Sequence, residues 1–184
     1  NVNDGIISNL MKTLHGRNKK EKVHSERVSV LSGKIGEMLG FTATKVKRVK
    51  EAGYLHDIGK IVLDEKILRG QDLSEAELEI KRQHPVVGYR ILNLFDDTLD
   101  LAEAVYSHHE NWNGSGYPKG LKGEEIPIMA RIIAIAEVYD ELTNEYGNAR
   151  LDNESALRQI QAMSGTRFDP EIVRLFMQIQ QTAK

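Results

Sequence analysis

The sequence predicts an all-α protein, a helical bundle interrupted by one long glycine- and proline-containing loop. Three observations predict it. Apolar residues recur at intervals of three and four along most of the 184-residue chain, the period of an amphipathic helix. Capping and stop residues punctuate those stretches. The β-branched residues that could suggest strands, Val28 and Val30, then Ile132 and Ile133, sit in helical context.

The elements follow in order. Ile6, Ile7, Leu10, Met11 and Leu14 form the first stripe, and the basic stretch Arg17 to Lys22 reads as a break. Val23, Val28, Leu31, Ile35 and Leu39 mark a second helix, which Gly40 stops. Thr42 or Thr44 caps a third that runs through Val46, Val49, Ala52 and Leu55 towards Gly59. Ile61 to Gly70 reads as a short loop. Ser74 and Glu77 form a capping box for the next helix. Pro85 suits the first position of another, through Val86, Val87, Ile91, Leu92 and Leu94. Leu99 to Glu110 is helical again. Asn111 to Pro127 holds four glycines and two prolines in 17 residues, and reads as a long structured loop. Ile128 to Thr143 is a strongly apolar, buried helix. Glu145 to Asn153 reads as a turn, Ser155 to Met163 as a short helix ended by Gly165, and Asp169-Pro170 opens the last helix.

Composition excludes several classes. At 40% hydrophobic and 28% charged, the chain can bury an ordinary globular core. Its formal net charge of −2 provides no global basic field for duplex nucleic acid. Cysteine is absent, so any metal must sit among nitrogen and oxygen ligands. No apolar run approaches the ~20 residues that span a bilayer, and no signal peptide is visible, so the expectation is a cytoplasmic domain. The first residue is Asn, and the chain reads as a piece of a longer protein.

Six histidines carry the chemical signal: His15, His24, His56, His84, His108 and His109. His15 reads as a surface or linker residue. A lone histidine in an apolar helix is usually structural. Two pairings change that reading. His56-Asp57 ends one helix beside a glycine, and His108-His109 ends another just before the loop. Neighbours on a helix diverge by about 100°, so adjacent ligands can grip two metals, or one metal from two sides. Imidazole and carboxylate suit Mn, Fe, Ni or Zn, and a two-metal hydrolytic site is chemically natural for such a set.

The chain resembles the HD-GYP family of HD-domain metal phosphohydrolases. The matching residues are His24-Ser25-Glu26-Arg27-Val28, then Leu55-His56-Asp57-Ile58-Gly59-Lys60-Ile61, then His84-Pro85 with Gly88. They continue with His108-His109-Glu110, Gly114-Ser115-Gly116-Tyr117-Pro118, Gly120-Leu121, Gly123, Ile126-Pro127 and Ala130-Arg131-Ile132. HDIGK, HHE and GYP in this order are highly specific. The resemblance implies an HD-domain helical bundle over residues 19–184 with a GYP loop, preceded by a connecting helix over residues 1–18. It implies hydrolysis of cyclic di-GMP to linear pGpG or GMP with two divalent ions, Fe or Mn first, Ni or Zn next. His56 and Asp57 would be ligands, Asp57 bridging. His84, His108 and His109 would complete one metal's shell, and His24 with an acidic residue on the Ile128–Thr143 helix the other's. Lys60, one turn from His56, would pair with the phosphate. Tyr117 belongs to a lip on the substrate side, and Trp112 either stacks on a guanine or packs the loop. The family likeness also implies a diguanylate cyclase domain or an N-terminal sensor domain as partner, and a homodimer.

The chain departs from the family pattern in four places. Glu137 stands where a metal-binding Asp is expected, with Asp140 one turn on as a supporting hydrogen-bonding residue. Lys20 occupies the position of a third-metal Glu found in some members. Glu21 is one residue off, so two metals are expected, not three. Asn113 replaces an Asp in the loop. Tyr146 falls where an arginine normally helps to hold phosphate, and Arg150 is the nearest substitute. These departures keep two further readings open: a degenerate domain that binds metal, nucleotide or a partner without turnover, and a phosphodiesterase for another cyclic dinucleotide.

Overall fold

The computed structural model describes residues 2–144 and 150–182, with side chains from residue 5. The first helix, α1 (Val2–Arg17), and the second, α2 (Lys19–Met38), are separated by Asn18 alone. Its side chain accepts from the backbone N–H of Lys20 (3.1 Å) and of Glu21 (3.3 Å). The basic stretch after it is therefore the first turn of α2 and not a break. Lysine is a good helix former, and a charge run by itself stops nothing. Residues Glu21, His24, Ser25, Val28, Ser32 and Ile35 are buried along one stripe of α2. The polar end of that stripe already holds a candidate ligand.

Thr42 caps α3 (Ala43–Leu55), which ends just before His56-Asp57. The segment expected to be a loop is ordered: a 3-10 turn over Ile58–Val62, then α4 (Glu65–Arg69), capped by Asp64 and closed by Gly70 at φ 74°. Elements of five residues are too short to display a hydrophobic period, although Asp64 and Gly70 were there as a cap and a stop. The capping box of Ser74 and Glu77 opens α5 (Glu75–Lys81). Next come α6 (His84–Leu92), with Pro85 in its first turn, and α7 (Leu99–Ser107). The latter stops before the histidine pair rather than running to Glu110. Helix α8 (Ile128–Thr143) is buried on most of its circumference. Residues Glu145 to Ala149, including Tyr146, lie outside the described residues. Asp152 caps α9 (Asn153–Ala162), which starts two residues earlier than expected, and α10 (Pro170–Thr182) closes the fold.

The core lies on both sides of α8. On one side Ile7, Met11, Val28, Leu55, Leu92, Leu101, Val105 and Ile133 pack α1, α2, α3, α6 and α7 together. On the other, Ile35, Ile135, Ile160, Phe168, Ile172 and Phe176 join α2 and α8 to α9 and α10. His15 is buried, against the sequence expectation, with its ring edge-on to Tyr54 at 5.7 Å. Among the described residues the β pairing is confined to two isolated bridges, Asn113 with Lys122 and Ser164 with Phe168. None of the described helices is long and apolar enough to cross a membrane.

Two glycines set the site's geometry. A Cβ on Gly59 would lie 1.9 Å from the His84 carbonyl oxygen and 2.7 Å from the Gly88 nitrogen. Only glycine lets the turn after Asp57 lie flat on α6, which brings His84 beside Asp57. A Cβ on Gly116 would lie 2.4 Å from the Asn111 nitrogen and 2.5 Å from the His109 carbonyl oxygen. The loop can therefore fold back over the His108-His109 turn.

Candidate metal centre

Seven of the predicted residues converge on one buried point, delivered by α2, the ends of α3 and α7, the start of α6, and α8. They fall into two groups of close ligand atoms: His24, His56, Asp57 and Glu137, and His84, His108 and His109. Asp57 joins them. Its Oδ2 lies 3.1 Å from His56 Nε2 and 3.6 Å from His24 Nε2, while Oδ1 lies 3.6 Å from His84 Nδ1 and 3.9 Å from His108 Nε2. Glu137 takes its place in the first group despite its extra methylene, with Oε1 3.3 Å from His56 Nε2 and 3.8 Å from His24 Nε2.

The outward ring nitrogens are tied down. His56 Nδ1 donates to the Gly53 carbonyl at 2.5 Å, and His108 Nδ1 to that of Val105 at 2.6 Å. His24 Nδ1 donates to Asp140 Oδ2 at 2.6 Å. Asp140 also takes a hydrogen bond from Arg27 and one from Asn144 Nδ2 at 3.0 Å. Such partners fix each ring and leave Nε2 facing inward, where it can donate a lone pair once a cation takes the place of its proton. Both Asp57 oxygens, His84 Nδ1 and His108 Nε2 are buried and receive no hydrogen bond. Buried polar atoms of this kind are rare unless something else satisfies them, and two cations would satisfy all four. The donor set therefore fits metal.

Charge follows the same division. Burial pushes the Asp57 carboxyl up, but His56 and Lys60 outweigh it and hold it well below the carboxylate range. Glu137 is also buried, and His109, His24 and His56 bring it well below its ordinary value. Burial lowers His84 far below the usual imidazole value, and takes His108 down to about 3 with help from His109. Those two imidazoles are neutral, the ligand form. Burial also works against charge on His24, but Asp140 and Glu137 win and raise it to about 9.

The surrounding residues divide. Lys60 Nζ sits 3.1 Å from Asp57 Oδ2 and 3.3 Å from Glu21 Oε2, so both Lys60 and Glu21 border the cluster. Tyr117 stacks on His109, centroids 5.0 Å apart and planes 15° from parallel. With His109, Arg82, Asn111, Ser115 and Arg167 it lines a cleft of about 850 Å³. Trp112 is not on that lining. Its N–H and carbonyl hold the Arg167 and Gly123 backbones, and its ring faces Arg131. Arg150 is exposed, and it lines neither this cleft nor the one beside His24. Sequence reading had not singled out a role for Glu110. It is buried, and its carboxylate accepts from the backbone N–H groups of Lys119, Gly120 and Leu121, pinning the loop. Asn113 Oδ1 accepts from both the N–H and the hydroxyl of Ser115. An arginine position, Arg27, was visible in the motif but its link to Asp140 was not.

Known proteins resemble this chain in sequence and in fold. A cyclic di-GMP phosphodiesterase of Thermotoga maritima is 41% identical over 162 residues, 85% of this chain and 44% of that protein. The cyclic di-GMP phosphodiesterase response regulator RpfG of Xanthomonas campestris is 36% identical over 172 residues, 91% of this chain and 45% of that protein. The chain thus spans less than half the length of these curated relatives. Among solved structures, a cyclic GMP-AMP-specific phosphodiesterase of Vibrio cholerae superposes with a TM-score of 0.71 at 22% identity, over 96% of this chain and 48% of that one, a likeness of fold. The HD domain family model matches residues 3–172. With its ordered histidine and aspartate motifs on an all-helical frame, the chain belongs to the HD domain family.

Proposed function

We propose that this chain is a metal-dependent phosphodiesterase domain that hydrolyses cyclic di-GMP to linear pGpG, to GMP or to both. The observation that carries the reading is Asp57, whose two buried oxygens face two separate groups of nitrogen and carboxylate donors. An all-nitrogen-and-oxygen set of this kind suits two Fe or Mn ions, and accepts Ni or Zn. Bound there, two divalent cations supply Lewis acidity towards a phosphoryl oxygen and lower the pKa of a water. The chain's own residues do the rest. Lys60 is held at the cluster edge by Asp57 and Glu21, where its ammonium can meet a phosphate oxygen. Tyr117 and the Arg82–Arg167 cleft flank the His109 end, and a second polar cleft opens beside His24. Two clefts about one metal pair suit a substrate with two nucleotides. The named activities of the relatives support the class, and a cytoplasmic setting suits it. A sensor or diguanylate cyclase domain is the partner that this reading predicts, and the loop around Tyr117 the surface for it.

The test is direct. Metal-stripped protein is reconstituted with Mn or Fe(II), incubated with cyclic di-GMP, and the products are separated. Linear pGpG or GMP supports the reading, and the double replacement His56→Ala, Asp57→Ala should abolish it. Cleavage of a hybrid cyclic dinucleotide alone would reassign the substrate. Arg150 is exposed and lines neither cleft, which favours a second reading: a domain that holds metal and nucleotide without turnover. Metal bound with no product under either ion selects it.

A further inference from the structure

The cleft beside His24 has about 590 Å³ and a polar lining, a size ordinary for a small-molecule site. Lys20, Lys60, Arg69 and Lys81 contribute four cations to its walls, against the two carboxylates of Glu21 and Glu141. The cleft reaches the metal cluster through His24 and Lys60. Lys60 is already committed, to Asp57 and Glu21. Lys81 is not. It is the last residue of α5, half-buried, and its Nζ lies against Gly70 at the end of α4, 3.3 Å from where a Cβ there would stand. Among the described residues its ammonium makes no hydrogen bond or ion pair. Burial and the charge of Lys60 both push its pKa down, the condition of a cation short of an anion.

We propose that Lys81 is a substrate-binding residue: it holds the second, non-scissile phosphodiester of a cyclic dinucleotide in the cleft beside His24, with Arg69 and Lys20 on the rim. The proposal rests on the phosphodiesterase reading above and specifies its substrate contacts. A cyclic dinucleotide carries two phosphodiesters in one ring. With one at the metal cluster, the other must lie within the same cleft system, and Lys81, close enough to feel the charges of Lys60, Asp57 and Glu137, is an uncommitted cation on its wall. The stretch after α8 contributes Leu151 to this cleft but not Arg150. A cation from α5 supplies what the expected arginine does not.

The experiment compares two substrates on the Mn-loaded protein: cyclic di-GMP, and bis(p-nitrophenyl) phosphate, which has a single phosphodiester. The readout is the ratio of their kcat/KM values, in wild type, Lys81→Gln and Lys81→Arg. A partly unfolded or partly metallated variant changes both rates together, so the ratio isolates substrate contact. A charge-assisted hydrogen bond is worth about a tenfold change or more. The ratio should therefore fall by about tenfold or more in Lys81→Gln, with the change in KM, and recover in Lys81→Arg. A smaller fall, or none, overturns the role of Lys81 and leaves the phosphodiesterase reading standing. A wild-type protein that cleaves bis(p-nitrophenyl) phosphate but no cyclic dinucleotide overturns both.

Discussion

Asp140→Asn isolates the support of one ligand from the ligand itself. Asp140 is 1% exposed and takes hydrogen bonds from His24 Nδ1, Arg27 and Asn144. Asparagine keeps the shape and one acceptor but removes the charge. His24 then loses the charge of the partner that fixes its tautomer, and Nε2 is held inward less firmly. Removal of such an outer partner costs about 10- to 100-fold in metal affinity, or roughly 1.4–2.7 kcal/mol. The stability cost is separate. A fully buried broken ion pair costs about 3–5 kcal/mol, but the Arg27 side chain is 36% exposed and water can take it up. A loss of about 2 kcal/mol, near that of one charged hydrogen bond, is the better figure. Calorimetric titration of the stripped protein with Mn, beside a thermal melt, separates the two effects. The expectation is a folded variant with a melting point lower by about 6 °C and affinity down at least about tenfold. If Asp140→Asn binds Mn as tightly as wild type, the account of His24 fails. Asn144→Ala touches Asp140 but not His24, and should leave affinity nearly unchanged.

Three further outcomes follow from the packing and charges. Gly59→Ala places a methyl 1.9 Å from a backbone oxygen that cannot swing away; urea melts should show a loss of about 3 kcal/mol, and an unchanged midpoint would mean that α6 yields. Glu137→Asp withdraws a carboxylate that already reaches the cluster, by about one C–C bond where metal distances tolerate about 0.2 Å; Mn affinity should fall, and a gain would show that glutamate impairs the site. Arg48 holds the Asp100 carboxyl below its ordinary value through a hydrogen bond. A depressed carboxylate contributes stability above its unfolded pKa, near 3.9, and loses it as pH falls through the folded value. The pair is partly exposed, so the wild-type advantage over Asp100→Asn should be about 0.5 kcal/mol at neutral pH and shrink in acid melts. An advantage that persists at the lowest pH contradicts the linkage.

Much of this was legible in the sequence because it repeats. The long stripes of α2, α3 and α8 announce themselves, and His24 and His56 sit on the first and at the end of the second. What stayed hidden depends on contacts across the fold. His15 reads as a linker residue because nothing local places Tyr54 against it. The helix α4 has five residues, less than two turns, so only its cap and its glycine could betray it. Trp112 offered two readings of equal chemistry, and only the backbone bonds to Arg167 and Gly123 separate it from the cleft. Lys81 carries no motif at all; its lack of a partner among the described residues is a property of the folded cleft.

The positions of the two dipeptides have a physical reason that spacing alone does not reveal. His56 and His108 each donate from Nδ1 to the carbonyl three residues earlier, Gly53 and Val105. Both carbonyls belong to the last four of their helices, α3 and α7, which have no partner within the helix. The helix end thus supplies an acceptor that a helix interior would already have used. That acceptor fixes the imidazole with Nε2 inward and the next side chain, Asp57 or His109, turned to another part of the cluster. An HD or HH pair in mid-helix would find its backbone carbonyls occupied, and its neighbour about 100° away on another face. Two helices that end at these dipeptides, the first followed by Gly59 lying flat on α6 and the second overlaid by Gly116, are what allow six imidazole and carboxylate groups from distant parts of the chain to close around Asp57.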